Sequence, residues 1–241
     1  MDDFELRVAG QPTSLRLLVQ DKLRAAIAWG RFRPGQRLVE RELCELTGVG
    51  RTSIREALRQ LEAEGMVVTI PHRGPVVSSI DAAEAAQLYE ARALLEGRAG
   101  RMFAERCSGA DLDALGEALT RLEDVAKGGN KRELIEVKTR FYSVLTQGCG
   151  NEVVQRMLVL LHNRITLLRA ISMSEPGRID KSIVELRAIW RAAVARDGAE
   201  TERACVHHVE QAAKVALAVL ARDESIGAAD QLAARRSRKR Q

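Results

Sequence analysis

The chain of 241 residues has few aromatic side chains (four Phe, two Trp, two Tyr), only five prolines, and no run that approaches the length of a membrane span. Crossing the hydrocarbon core of a bilayer takes about 18 or more consecutive apolar residues, so no transmembrane anchor is expected. The opening residues, Met1-Asp2-Asp3-Phe4-Glu5, are acidic and lead into no apolar core, unlike the basic and then apolar start of a secretory signal. The four cysteines (Cys44, Cys107, Cys149, Cys205) are widely scattered with no paired spacing, which fits neither a disulfide framework nor a zinc knuckle. These features together point to a reducing cytoplasm. Also missing are a Gly-rich phosphate loop, a His-Glu-x-x-His and a Gly-x-Ser-x-Gly, and the carboxylates form no obvious inward pair. The reading is therefore not an enzyme, and no cofactor is implied.

What is present is a soluble globular composition, 46% apolar and 29% charged, long enough for one large domain or two modest ones. The net charge of +5 is unevenly placed. Residues 1–80 carry 12 Lys+Arg against 10 Asp+Glu, 81–224 carry 21 against 22, and 225–241 carry 5 against 1. Such a balance suits a specific groove contact better than a coat of positive charge.

Two regions differ in period. In the first, Ser14 caps a helix carrying Leu15, Leu18, Val19, Leu23 and Ile27, and Pro34-Gly35 marks a turn. A short helix spans about Glu40 to Leu46, with Leu43 and Leu46 inward, and Gly48 to Gly50 connect it to a third starting at Arg51 and ending at Gly65. Two β-rich runs, Met66–Ile70 and Pro75–Ile80, flank the turn Pro71-His72-Arg73-Gly74. Helix, helix, tight turn, helix, hairpin is the order of a winged helix-turn-helix. From Asp81 onward the pattern predicts an antiparallel bundle of about six helices, near 81–106, 111–127, 130–148, 151–174, 178–197 and 199–222, with Asp81, Asn130 and Asn151 as N-caps. The fold class expected is mainly α: a flexible start over 1–13, a winged helix-turn-helix over 14–80, a helical domain over 81–224, and a disordered basic tail over 225–241.

In the third helix Arg51, Arg55 and Arg59 recur every four residues beside an apolar face of Ile54, Leu58 and Leu61. Such a helix can pack on a core and offer its guanidiniums to the major groove, where Arg takes guanine O6 and N7 together. Thr52 and Ser53, in its first turn, suit phosphate oxygens. Arg41 opens the preceding helix, and His72-Arg73-Gly74 at the hairpin tip form a wing whose glycine allows close approach to the minor groove.

The stretches Pro34-Gly35-Gln36-Arg37-Leu38-Val39-Glu40-Arg41-Glu42-Leu43, Gly48 through Gly65, and Arg73-Gly74 resemble the GntR family of bacterial transcription regulators. The helical remainder, with Arg92 and Glu96 in its first helix, is similar to the FadR-type branch and its FCD effector-binding domain; the likeness covers about residues 14–222. It implies that Arg41, Arg51 and Arg55 read bases, supported by Thr52, Ser53, His72 and Gly74. Gly50 stands where the family usually has a capping Ser.

Members of this branch often hold a divalent metal through one Asp and three His. By the resemblance those positions are here Lys138, Tyr142, Leu186 and His208, so no metal is expected. Lys138, Arg92, Arg164 and His208 instead lie on apolar stripes of their helices, which suggests with Tyr142 a pocket for a small anionic effector such as a carboxylate. The alternative is that these cations reach the surface or pair with acids such as Glu96. The expected protein is a homodimeric, ligand-responsive repressor on an inverted-repeat DNA operator, as two-fold symmetry matches a palindrome. The competing classes are a helical protein-interaction scaffold and a metal-dependent enzyme using the helical pocket.

Overall fold

The computed structural model describes residues 12–128, 130–173 and 175–238. In chain order the elements are α1 (Pro12–Ala28), α2 (Glu40–Thr47), α3 (Arg51–Ala63), β1 (Val67–Ile70), β2 (Gly74–Val77), α4 (Ala82–Arg106), α5 (Gly109–Gly128), α6 (Lys131–Gln147), α7 (Glu152–Ser172), α8 (Arg178–Val194) and α9 (Gly198–Arg238). The chain divides into two compact units. One runs to Ser79 and includes Val159–Ala170 of α7; the other holds Ile80–Leu158 and the chain from Ile171 onward. The mainly helical class, the small hairpin and the six-helix remainder agree with the sequence pattern.

In the first unit Val19, Leu23 and Ile27 of α1, Leu43 of α2, and Ile54, Leu58 and Leu61 of α3 are buried together with Met66, Val67 and Val76 of the hairpin region. Each large aliphatic side chain buried in this way stabilises by about 1.5–3 kcal/mol before entropy is counted. The antiparallel hairpin pairs Val67 with Val77 and Ile70 with Gly74. Its β2 strand is lined on the other side by the segment after α1: Gly35 N–H donates to Val77 O and Leu38 N–H to Pro75 O. That third strand-like edge was not visible in the sequence, because Gln36-Arg37 carry no β signature.

Three local expectations are corrected. Ser14 lies inside α1, which is helical from Pro12, the first described residue, so it is not the N-cap. Leu18 (43% exposed) and Leu46 (37% exposed) sit at the edge of their stripes, not in the core. Helix α9 carries on through Arg238, across most of the segment read as a disordered tail. Its Ala, Gln, Leu and Arg are strong helix formers, and that propensity outweighs the charge run that suggested disorder. Residues 1–11 and 239–241 of the expected flexible ends lie outside the described residues.

In the second unit the N-caps fall where the sequence places them. Asp81 accepts from Glu84 N–H at 2.8 Å, Asn130 from Glu133 N–H at 3.2 Å, and Asn151 from the N–H groups of Val153 and Val154 at 3.1 Å each. The core is built from Phe103 of α4, Leu115 and Leu122 of α5, Leu134, Phe141 and Leu145 of α6, Leu186 of α8 and Val209 of α9. Helices α4 and α9 approach closely because Gly97 and Gly100 have no side chain. A Cβ at Gly100 would fall 2.5 Å from Cys205 Sγ, and one at Gly97 2.7 Å from Val206 Cγ2.

Candidate nucleic-acid interface and effector site

Helix α3 divides as its sequence demands. Ile54, Ala57, Leu58 and Leu61 face the core, while Arg51, Thr52, Arg55 and Arg59 are exposed and Ser53 is half-buried. Its start is open: the N-cap Gly50 makes no side-chain capping bond, which leaves first-turn N–H groups and the positive end of the helix available to an anion. Arg41 is exposed on α2 and lies 3.7 Å from Glu45.

Arg55 is oriented by a residue that sequence reasoning passed over. Its Nε–H donates to both Oε1 and Oε2 of Glu40, each at 2.9 Å, which holds the guanidinium in place without using its two terminal nitrogens. The signal was Glu40 at the start of α2, fifteen residues before Arg55; only the turn between the helices brings them together.

At the hairpin tip His72 (φ 62°) and Gly74 (φ 81°) both take the left-handed conformation. That conformation is free for glycine and costs another residue on the order of 1–2 kcal/mol. Arg73 is exposed and its Nη2 donates to Gly35 O at 2.9 Å, so the wing is braced against the turn after α1.

The C-terminal end of α3 is clasped. The buried carboxylate of Glu64, its C-cap, accepts from Gln20 Nε2 (2.8 Å), Arg24 Nη2 (2.7 Å) and Nε (2.9 Å), and Asn163 Nδ2 (3.0 Å). The neighbouring Gly65, at φ 71°, lies under Arg164: a Cβ there would fall 2.9 Å from Arg164 Cδ. Arg164 thus lies in the first unit, whereas the other expected effector residues lie in the second. Its stripe does face inward, as the Leu161 and Leu168 spacing indicates, but inward at this turn of α7 means the end of α3.

The remaining four effector candidates, Arg92, Lys138, Tyr142 and His208, come together inside the second unit and are all buried. Arg92 donates from Nε to Glu96 Oε1 at 2.7 Å and from Nη2 to Glu96 Oε2 at 3.1 Å, and its guanidinium carbon lies 5.0 Å from the Tyr142 ring centroid. Burial opposes its charge, but Glu96 and the two tyrosines beside it more than offset that, so its pKa is raised. Arg92 is thus both inward-facing and paired with Glu96.

From Tyr142 of α6 a chain of short bonds runs through His208 of α9 to Glu185 and Arg178 of α8. Tyr142 Oη lies 2.6 Å from His208 Nε2, His208 Nδ1 lies 2.6 Å from Glu185 Oε2, and Glu185 takes both terminal nitrogens of Arg178 at 2.8 and 2.9 Å. The direction of this relay follows from charge. Burial, with the nearby positive charges of Lys138 and Arg92, pushes the His208 pKa down to about 4 against the pull of Glu185, so the imidazole is neutral near pH 7. Burial works against ionised Glu185, but His208 and Arg178 hold its pKa below the usual range. An ionised carboxylate only accepts, so His208 carries its proton on Nδ1; its Nε2 then accepts from the Tyr142 hydroxyl. Glu185, Glu96 and Arg178 were missed as a set; Glu96, four residues after Arg92 on one helical face, was the visible part.

This donor set does not suit the divalent metal that the family resemblance raised. Both nitrogens of His208 are engaged, Leu186 is buried in the core, and the positive charge of Lys138 already acts on the imidazole. Among the described residues no group of three or more His, Cys, Asp or Glu is placed to hold a metal ion, and no helix is long and apolar enough to cross a membrane.

Comparison with known proteins matches residues 15–77 to a family described as bacterial regulatory proteins, gntR family, and residues 87–211 to the FCD domain. An uncharacterized HTH-type transcriptional regulator, YdhC of Bacillus subtilis, is 28% identical over 191 residues, covering 79% of this chain and 84% of that protein. A probable D-xylose utilization operon transcriptional repressor of Paenarthrobacter nicotinovorans is 27% identical over 197 residues, covering 82% and 86%. The solved structure of Escherichia coli McbR/YncC superposes with a TM-score of 0.74 at 22% identity, covering 87% of this chain and 98% of that one, a likeness of fold.

Proposed function

We propose that this chain, which belongs to the GntR family of bacterial regulatory proteins and carries an FCD domain, is a cytoplasmic, ligand-responsive repressor that binds an inverted-repeat operator as a homodimer. It is a transcription regulator and not an enzyme. The observation that carries the DNA-binding part is the exposed ridge of Arg51, Arg55 and Arg59 on a helix whose other face is core, with Arg55 held through its Nε by Glu40. In this reading Arg41, Arg51 and Arg55 contact base edges, Thr52 and Ser53 contact phosphates, and His72, Arg73 and Gly74 form the wing. A relative described as a repressor supports the sign of the regulation. A gel-shift titration with the protein's own promoter region at two salt concentrations tests it. A sequence-dependent shift that weakens with salt is expected; equal affinity for unrelated DNA would overturn it.

The effector reading places a small organic acid at the cluster of Arg92, Lys138, Tyr142 and His208. Its support is the burial of Lys138 and Arg92 beside a neutral, doubly bonded imidazole, an environment that favours an anion over a metal. An effector shifts the protein only if it binds one arrangement better than another, so its presence should change operator affinity. A thermal-shift screen of small organic acids, repeated on Lys138→Ala, tests the site. A hit whose stabilisation survives that substitution unchanged would place the effector elsewhere.

A further inference from the structure

The small sheet of the first unit is built from two stretches of chain that contain no acidic residue. Residues 25–39 hold Arg31, Arg33 and Arg37, residues 65–79 hold Arg73, and neither stretch has an Asp or a Glu. The helices around them are mixed in sign: Asp21 lies in α1, Glu40, Glu42 and Glu45 in α2, and Glu56 and Glu62 in α3. All four arginines of the two stretches are exposed. Among the described residues neither Arg33 nor Arg37 has a carboxylate partner, whereas Arg55 has Glu40 and Arg24 has Glu64.

Exposed arginines by themselves make only a solvated surface; here the backbone fixes where they stand. The turn between Arg33 and Arg37 is closed twice. Gln36 N–H donates to Arg33 O at 2.9 Å, and Arg33 N–H donates to Gln36 Oε1 at 2.8 Å. From there the chain runs along β2, with Val77 N–H donating to Gln36 O, Leu38 N–H to Pro75 O, and Arg37 opposite Val76. Leu38 is buried, so strand alternation sets Arg37 on the face turned away from the core. Arg73 of the wing reaches the same turn, its Nη2 donating to Gly35 O at 2.9 Å. Gly35 has Arg33 two residues before it and Arg37 two residues after, so three arginines are anchored at or beside one braced turn.

We propose that the edge formed by Arg33, Arg37 and Arg73 binds the sugar-phosphate backbone of duplex DNA, beside the base pairs that α3 reads. This rests on the DNA-binding reading above and adds to it a surface that supplies affinity without sequence preference, since a phosphate contact is blind to the base beside it. Like charges gathered on one edge repel one another, and a polyanion relieves that repulsion. The side chains are exposed and set along an edge, which suits a row of phosphates better than one small anion. Because the turn and the wing are already braced, gripping a backbone there orders side chains only.

Titration of the full chain with its own promoter region and with unrelated duplex DNA, each at several salt concentrations, tests this. The variants are Arg33→Gln and Arg37→Gln, with Arg33→Lys and Arg37→Lys to keep the charge. Each glutamine variant should lower the salt slope by about one and weaken binding about fivefold at about 0.15 M salt, equally for both DNAs. Its preference among single-base operator variants should match the parent's, and each lysine variant should keep the parent's slope. Parent affinity and slope in both glutamine variants would overturn the proposal; if Arg55→Ala still relaxes base preference, the DNA-binding reading stands. A loss confined to the promoter DNA would make these arginines base readers, and lysine variants that bind as poorly as the glutamine ones would make them structural; either result overturns the backbone role. If the parent shows no salt-dependent shift with either DNA, the DNA-binding reading fails and this proposal with it.

Discussion

His208 is where solution pH should act on this fold. Its side chain is buried, and burial together with Lys138 and Arg92 takes its pKa from 6.5 down to about 4 despite the bond to Glu185. Between those values the unfolded chain binds a proton that the folded chain refuses, so stability is full above pH 6.5 and falls as the pH drops toward 4. The whole window corresponds to about 3 kcal/mol, of which about 2 kcal/mol is lost by pH 5. Burial works against ionised Glu185, but His208 and Arg178 outweigh it and hold its pKa below the usual carboxylate range, so it stays ionised between pH 7 and 5, where the measurement is made. The perturbation is acidification of the parent and of His208→Gln, which keeps a donor and an acceptor at the site but does not titrate. Urea unfolding at fixed protein concentration and at pH 7, 6 and 5 reads the difference. The parent should lose about 2 kcal/mol more than the variant between pH 7 and 5. Parallel profiles would refute the buried neutral imidazole and with it the direction of the relay from Tyr142 to Arg178.

Three further outcomes follow from the first unit. Arg55→Ala should cost about 1–3 kcal/mol of operator binding and relax base preference at one position per half-site, measured by titration against single-base operator variants. Glu40→Gln removes the carboxylate that aims Arg55, so discrimination at that same position should fall while affinity for unrelated DNA rises; a uniform rise with unchanged discrimination would reduce Glu40 to a simple repulsive charge. Gly65→Ala forces a side chain into the left-handed conformation and against Arg164, and should lower the unfolding free energy by about 1–2 kcal/mol in chemical denaturation.

The winged helix-turn-helix was legible because its elements are short and each is marked by its own chemistry. The apolar spacing of α3, the glycines before and after it, and the Pro-His-Arg-Gly turn of the hairpin are local features, and local physics decides them. The caps Asp81, Asn130 and Asn151 were legible for the same reason. The end of α9 was not, because a run of arginine and alanine satisfies both a solvated tail and a helix, and the pattern alone does not rank them.

The inward placement of Arg92, Lys138 and His208 could be read from their helices one at a time. What each side chain meets could not. Arg164 obeys the same inward rule and ends beside Gly65, and Arg55 finds its carboxylate fifteen residues upstream on another helix. The sequence by itself determined which residues form helices, which faces are buried, and that a basic ridge stays outside. Only the tertiary structure decided that Tyr142, His208, Glu185 and Arg178 form one relay and that Glu40 aims Arg55. The physical reason is that periodicity is a property of one segment, while a hydrogen bond between segments depends on how two helices cross, and packing of the whole core sets that crossing.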